Sequence, residues 1–267
     1  MSELTELLIT PAPQIERVAL AIARDAYAGL VERHVLQQLD RLAAPLYRAM
    51  VQRSALSDRA ACLVDYLFGE LELVAADRRT APPECSYLNQ VLERRQGTPL
   101  ALGVVALALG ERVGLPIEGV RIGKRYGVSL GGRTGMILDL SRRGEAVPPA
   151  PLEPQREGRH GDQGSVPPGP EPLNARGIAL GLLLDLKHAH ESRGDHAHAL
   201  VVCDRLVDLT KAPVHYRDRG VHALALGAPA AAASDLSVYL AEAPDAVDAA
   251  GVRRLLRRAA EGKAAPS

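Results

Sequence analysis

The segment RRQGTPLALGVVALALGERVGLPIEGVRI, residues 94–122, contains the longest apolar run of the chain. Thr98 and Pro99 precede this run, and Gly114 and Pro116 follow it. Proline is favoured in the first turn of a helix, whereas Gly and Pro end one, so a helix is predicted between the two breaks. Its N-terminus would suit a reactive nucleophile, but no Cys, Ser or Asp is found there.

The composition is that of a folded protein with a formal net charge of zero. The chain has 267 residues, of which 47% are hydrophobic, enough for one large domain or two small ones. Lys plus Arg and Asp plus Glu number 32 each, and Trp is absent. Nucleic acid is therefore not expected as a partner, because neither a basic stripe nor stacking aromatic residues are available for it.

The cysteines and the N-terminus favour a cytoplasmic protein. Cys62, Cys85 and Cys203 are odd in number, far apart and without CxxC spacing, which fits a reducing compartment. The first residues carry Glu3 and Glu6 instead of a basic start, so no signal peptide is predicted. The central apolar run falls well short of the roughly 20 residues that a membrane span needs, and no membrane contact is expected.

The remaining pattern predicts helices at both ends and strands between them. Apolar residues recur at helical spacing from Ile15 to about Met50, and a further helix is expected after Ser57 and Asp58 as N-cap. Two β-type runs flank Gly131 and Gly132, which predicts a hairpin. Residues 148–172 are dense in Pro and Gly and are interpreted as a linker. It separates a helical layer and core (1–147) from a helical array (173–267).

The C-terminal array contains an internal repeat. Three pairs of positions are 33 residues apart, close to the roughly 34-residue tetratricopeptide period. The pairs are Ala199 and Ala232, Cys203 and Leu236, and Leu206 and Tyr239. One good repeat, one degenerate repeat and a capping helix from about Ala246 are predicted.

Several phrases connect the chain to a known family. They are LVDYLFGELEL from Leu63, SYLNQVLERRQGTPLALGV from Ser86, VGLPIEGV from Val113, and HYRDRG and DLSVYLAEAPDA in the repeats. In this order they resemble the SirB-type bacterial proteins, in which a transglutaminase-like domain precedes tetratricopeptide repeats. The resemblance implies an α+β fold: a helix-rich, papain-like domain with a small antiparallel sheet, followed by an all-α hairpin array.

The resemblance also implies where a catalytic site would lie. In the wider superfamily a Cys begins the central helix, and a His and an Asp lie on two neighbouring strands, so that the thiolate is favoured. The matching positions here are Pro99, Arg125 and Asp139. No histidine occurs between His34 and His160. The resemblance therefore implies a degenerate triad in which only the acid remains.

Two functions follow as hypotheses. The first is a catalytically inert protein that binds another protein or peptide through its repeats, with Tyr216 and Arg219 as candidate groove residues and without a cofactor. The alternative is a weak hydrolase or acyltransferase that uses a displaced nucleophile, such as Cys85, predicted to be exposed near the cleft, or Ser86. The partner and the oligomeric state are left open.

Two further groups of residues have competing interpretations. Arg125 and Asp139 would pair across two strands and plug the old site, bind a carboxylate or peptide there, or form an exposed solvated pair. His188 with His190, and His196 with His198, invite a metal interpretation. However, residues two apart on a helix point about 200° away from each other, so neither pair holds one ion. A solvated loop without metal is expected.

Overall fold

The computed structural model describes residues 3–132, 135–147 and 170–264. The described chain is mostly helical, with a small sheet in its middle. The helices are α1 (Glu3–Leu8), α2 (Ile15–Arg24), α3 (Glu32–Met50), α4 (Leu56–Asp65), α5 (Leu88–Arg94), α6 (Pro99–Arg112), α7 (Ala175–Glu191), α8 (His196–Thr210), α9 (Pro213–Ala225), α10 (Pro229–Glu242) and α11 (Ala249–Ala264). The strands are β1 (Val74–Ala75), β2 (Gln96–Gly97), β3 (Ile117–Ile122), β4 (Arg125–Leu130), β5 (Met136–Asp139), β6 (Glu145–Val147) and β7 (Glu171–Pro172).

Helix α6 is the centre of the core. Every residue from Pro99 to Gly110 is buried, as expected for a helix that is apolar on all sides. It packs against strands β3 and β4 and against helices α2 and α3. The predicted central helix is thus confirmed, and the neighbouring elements hold its N-terminus in place.

The main sheet has five antiparallel strands in the order β6-β5-β4-β3-β7. The predicted hairpin at Gly131 and Gly132 is confirmed between β4 and β5, where Leu130 pairs with Met136. A second hairpin joins β3 to β4 through a tight turn at Gly123, whose φ of 61° favours glycine. The antiparallel pairing therefore places the end of β5 beside the start of β4.

The predicted linker contributes to this sheet. Residues 148–169 lie outside the described part of the chain. Glu171 and Pro172 form β7, which pairs with Arg121 and Val120 at the edge of β3. Proline is compatible with an edge strand because it has no N–H to donate to a further strand. The domain limits at 147 and 173 stay predictions.

Helices α7 to α11 form successive contacting pairs, as predicted for tetratricopeptide-type hairpins. The three pairs of repeated positions are all buried, at 5% exposure or less. A Cβ added to Gly220 would lie 3.0 Å from the Leu236 side chain and 3.2 Å from the Ala232 carbonyl oxygen. The small residue thus allows α9 and α10 to approach closely.

Helix α7 belongs to the same hydrophobic core as α2 and α6. Ile178, Leu182 and Leu186 are almost fully buried within that core, so the repeats pack against the first domain as predicted. A Cβ added to Gly181 would lie 2.4 Å from Leu100 Cδ2, which shows how close α7 is to the start of α6. The two predicted parts of the chain therefore share one continuous core.

The start of α4 differs from the sequence prediction. The predicted N-cap at Ser57 or Asp58 is wrong, because α4 begins at Leu56 with Ala55 as its cap. Packing against the core decides this start, since no side chain caps it. Among the described residues no helix combines the length and the apolar character needed to cross a bilayer.

Candidate functional site

The start of α6 is firmly held. Thr98 is the N-cap residue, and its side-chain oxygen accepts a hydrogen bond from the Ala101 N–H at 3.4 Å. The Thr98 N–H donates to the Cys85 carbonyl oxygen at 2.8 Å. Thr98 and Pro99 are both buried. Pro99, the position that the resemblance matches to the nucleophile, thus lies at a firmly held helix start.

A cleft of ~360 Å³ opens at this point. It lies between the loop after β1, the first residue of α6, the β3–β4 hairpin and the end of β5. Its lining residues are Ala75, Ala76, Asp77, Arg78, Pro99, Lys124, Arg125, Tyr126 and Ser141. A cleft of this size takes a side chain or a short segment of peptide.

Arg125 and Asp139 form an ion pair at the back of this cleft. The Arg125 guanidinium donates to Asp139 Oδ2, whereas Oδ1 accepts from the Ser141 N–H at 2.9 Å and the Ser141 hydroxyl at 2.6 Å. The Asp139 side chain is fully buried, but that of Arg125 is 42% exposed. The interpretation as an exposed, solvated pair is therefore wrong for the carboxylate. The structure brings all three family-matched positions to one place.

A second ion pair lies beside the cleft, and the sequence pattern does not predict it. Arg78 Nε donates to Asp185 Oδ1 at 2.6 Å, and its guanidinium lies 5.4 Å from the centre of the Tyr126 ring. Burial raises the pKa of Asp185, although Arg78 and the Thr98 hydroxyl oppose the shift. Asp185 Oδ2 has no hydrogen-bond partner among the described residues. Because 107 residues separate the pair, no local signal identifies it.

Three cationic side chains line the cleft. Arg78, Lys124 and Arg125 line it against one carboxylate, Asp77, which itself pairs with the neighbouring Arg79. The N-terminus of α6 adds a partial positive charge. Arg78 and Arg125 are paired with the buried carboxylates of Asp185 and Asp139. The residues that line the cleft include no histidine or cysteine for proton transfer or nucleophilic attack.

The proposed displaced nucleophiles are inaccessible. Cys85 and Ser86 are 2% and 3% exposed, so the expectation that Cys85 is exposed is wrong. Desolvation raises the pKa of the Cys85 thiol, which disfavours the attacking thiolate. Cys62 and Cys203 are also buried, as expected of small apolar residues, and burial raises the pKa of Cys203 to about 12.

The candidate groove residues lie together on α9. Arg219 Nε and Nη2 both donate to the Asp235 carboxylate at 2.7 Å, and Nη1 donates to Asp204 at 2.7 Å. The guanidinium also lies 5.5 Å from the centre of the Tyr216 ring. Arg219 therefore connects neighbouring helices of the repeats, while Tyr216 stays partly exposed beneath it.

The histidines are arranged differently from the expectation. His190 is buried, at 5% exposure, so the solvated-loop interpretation is wrong for this residue. It lies beside Asp195 and His198 across the α7–α8 turn, with the two rings stacked at a centroid distance of 5.1 Å. His188 is exposed and faces the Arg79 carbonyl oxygen instead. Because His190 and His198 lie on different helices, spacing within one helix does not identify this pair.

Comparisons with known proteins agree with this architecture. The chain is 29% identical over 229 residues to a UPF0162 protein of Xylella fastidiosa, covering 83% of this chain and 81% of that protein. It is 31% identical over 121 residues to a UPF0162 protein of Pseudomonas aeruginosa, covering 45% and 44% of the two chains. No solved structure matches the chain significantly.

Family profiles match both parts of the chain. The tetratricopeptide repeat profile matches residues 186–257, which extend from the end of α7 into α11. The profile of the transglutaminase-like superfamily matches residues 33–169, just over half of the sequence, and includes the start of α6 and the strands that carry Arg125 and Asp139. The chain therefore belongs to the transglutaminase-like superfamily, with tetratricopeptide-type helical repeats after that domain.

Proposed function

We propose that this chain is a SirB-type protein that has lost catalysis and works by binding another protein. The loss of catalysis is supported by the residues at the three matched positions. Pro99 has no nucleophilic group, and the Arg125 guanidinium cannot act as a base because it does not deprotonate in proteins. The Asp139 carboxylate accepts hydrogen bonds from Arg125 and Ser141 and orients no imidazole.

The observation that carries the proposal is the cationic cleft at the start of α6. Three positive side chains line it, and two of them, Arg78 and Arg125, are held in place by buried carboxylates. A site with these charges suits a carboxylate-rich segment of a partner protein. The repeats add a second surface, since tetratricopeptide repeats generally mediate binding between proteins.

Of the two residues predicted for a groove in the repeats, Tyr216 is the better probe. Arg219 makes two ion pairs, so its removal would disturb α8 and α10 as well as any partner. Tyr216→Ala removes an aromatic ring and breaks none of these pairs. If Tyr216 contacts the partner protein, this variant should bind the partner more weakly than the wild type does. Its melting temperature should be unchanged.

The test of the cleft uses the full chain and a fluorescent acetylated octapeptide of glutamates, with the glutamine octapeptide as probe control. Lys124→Glu reverses the charge of a residue that lines the cleft. Arg79→Glu reverses the charge of a largely exposed residue that is close to the cleft but does not line it. We expect anisotropy to show binding of the glutamate peptide alone, several-fold weaker in Lys124→Glu than in Arg79→Glu. Equal effects of the two variants would overturn the cleft as the binding site.

Catalysis is tested separately on the same protein. The folded chain is exposed to a fluorophosphonate and to iodoacetamide, and labelled residues are identified by mass spectrometry. We expect neither Ser86 nor Ser141 nor Cys85 to be labelled faster than in the unfolded chain. Rapid labelling of one of them in the folded state would support the hydrolase or acyltransferase alternative.

A further inference from the structure

Three potential metal ligands meet at the turn between α7 and α8. His190 Nδ1 lies 3.0 Å from Asp195 Oδ2, and His198 Nδ1 lies 2.8 Å from the same oxygen. All three ligand atoms are within 4.8 Å of one another. In the part of the chain that the structure describes, this is the one group of His, Cys, Asp and Glu residues with such an arrangement.

The distances suit a small tetrahedral ion. Zinc binds His nitrogen and carboxylate oxygen at about 2.0–2.2 Å, which places the ligand atoms of a tetrahedral site roughly 3.3 Å apart. The two nitrogen–oxygen distances therefore need to widen by only a few tenths of an ångström. The rings of His190 and His198 are stacked within 13° of parallel, so His198 has to turn to direct its lone pair at the ion. Its side chain is 52% exposed and has room to do so.

His190 and Asp195 each have a second polar atom that would not bind the ion, and both of these atoms already have a partner. The Tyr87 hydroxyl lies 3.2 Å from His190 Nε2, and Asp195 Oδ1 accepts from the backbone N–H of His198 at 3.2 Å as the N-cap of α8. Metal-bound imidazoles and carboxylates usually have such partners, which fix the ring and orient the acid. These contacts use Nε2 of His190 and Oδ1 of Asp195, whereas Nδ1 and Oδ2 lie against each other.

We propose that His190, Asp195 and His198 bind one zinc ion, with the fourth position open to solvent. Two imidazoles and one carboxylate are ligands that zinc commonly takes. The ion would connect the last turn of α7 to the first turn of α8. Through Tyr87, at the start of α5, it would also tie this hairpin to the transglutaminase-like domain. The proposal is independent of the function of the cleft.

The test titrates chelator-treated, full-length protein with ZnCl₂ by calorimetry, with Co²⁺ absorption as a second probe of tetrahedral geometry. We expect one equivalent of zinc to bind. His198→Ala and Asp195→Asn should each weaken binding at least about tenfold, and Tyr87→Phe by about tenfold. Asn keeps the N-cap while removing the charged oxygen, so the turn is preserved. The matched control is His188→Ala, which removes an exposed histidine of the same helix and should leave binding unchanged.

Unfolding is measured by circular dichroism for each metal-free variant, so that a loss of structure is not mistaken for a loss of a ligand. Zinc should raise the melting temperature of the wild type and of His188→Ala, but not that of His198→Ala. The proposal is overturned if the wild type binds no stoichiometric zinc. It is also overturned if His198→Ala binds zinc as tightly as His188→Ala.

Discussion

The Arg125 guanidinium, 42% exposed at the wall of the cleft, forms an ion pair with the fully buried carboxylate of Asp139. The resemblance to the superfamily pattern matches these two positions to a histidine and the acid that orients it. Here the acid holds a permanent cation at the surface of the site. The position that the resemblance matches to the catalytic histidine thus presents a positively charged side chain.

Replacing Arg125 with Ala should destabilise the protein, because the buried Asp139 carboxylate loses its cation and keeps only the Ser141 donors. We expect the free energy of unfolding to fall by about 1–3 kcal/mol in a urea titration. Arg121→Ala is the matched control, since Arg121 lies on the adjacent strand and pairs with Glu171, which is as exposed as Arg121 itself. Little change is expected for that control. Equal losses in the two variants would contradict the special importance of the buried acid.

The thiol of Cys85 should react slowly in the folded protein. Burial raises its pKa, so less thiolate is present at any given pH than in a free peptide. Alkylation by iodoacetamide at pH 8, followed by mass spectrometry, should proceed much faster in urea than in buffer. Fast alkylation of the native chain below pH 8 would show that Cys85 has an activated, accessible thiol.

Asp185 should make stability depend on pH in a defined direction. Its pKa is raised in the folded state, so the folded protein keeps a proton that the unfolded chain has released above about pH 4. The stabilising contribution is present below the unfolded pKa and is lost as pH rises through the folded pKa. Relative to wild type, Asp185→Asn should therefore gain stability as the pH rises above about 4 in urea titrations.

Asp77 provides the control of opposite sign. Hydrogen bonds from the backbone and side chain of Arg79 lower the pKa of this exposed carboxylate. Its contribution is present above the unfolded pKa and is lost as pH falls through the folded pKa. Asp77→Asn should accordingly lose stability relative to wild type as pH rises. Parallel pH profiles for the two variants would refute the raised pKa of Asp185.

Gly127 should not tolerate a side chain. It lies opposite Asp139 in the β4–β5 pair, and an added Cβ would be 2.4 Å from the Leu138 carbonyl oxygen. The backbone of β5 would have to move, so Gly127→Ala is expected to lower the free energy of unfolding by about 2 kcal/mol or more. Gly69→Ala is the control, because nothing lies within 4 Å of its added Cβ. Denaturant titrations that show the same small effect for both would contradict the predicted clash.

Local signals explain what could be predicted from the sequence. Thr98 and Pro99 identify the start of α6 because cap and first-turn preferences depend on neighbouring residues alone. The pairing of β7 with β3 depends on a contact such as Arg121 with Glu171, 50 residues apart, which no local pattern indicates. Strand β7 is also only two residues long, which is too short for a recognisable strand pattern.

The histidine cluster could not be predicted from spacing on one helix. His190 lies in the last turn of α7 and His198 in the first turn of α8, and Gly194, with φ of 67°, lets the chain reverse between them. A search for ligands in the last turn of one helix and the first turn of the next would have found them. The contact of His190 with Tyr87, 103 residues earlier, needs the tertiary fold.

The core shared by α6 and α7 has a consequence for synthesis of the protein. The ribosome delivers α2 and α6 before it delivers α7, so the apolar surfaces that α7 covers stay exposed on the nascent chain until residues beyond Glu191 have emerged. A product truncated before Ala175 would carry that surface permanently and would be prone to aggregation. Translation of the repeats is thus a condition for closing the core of the domain that precedes them.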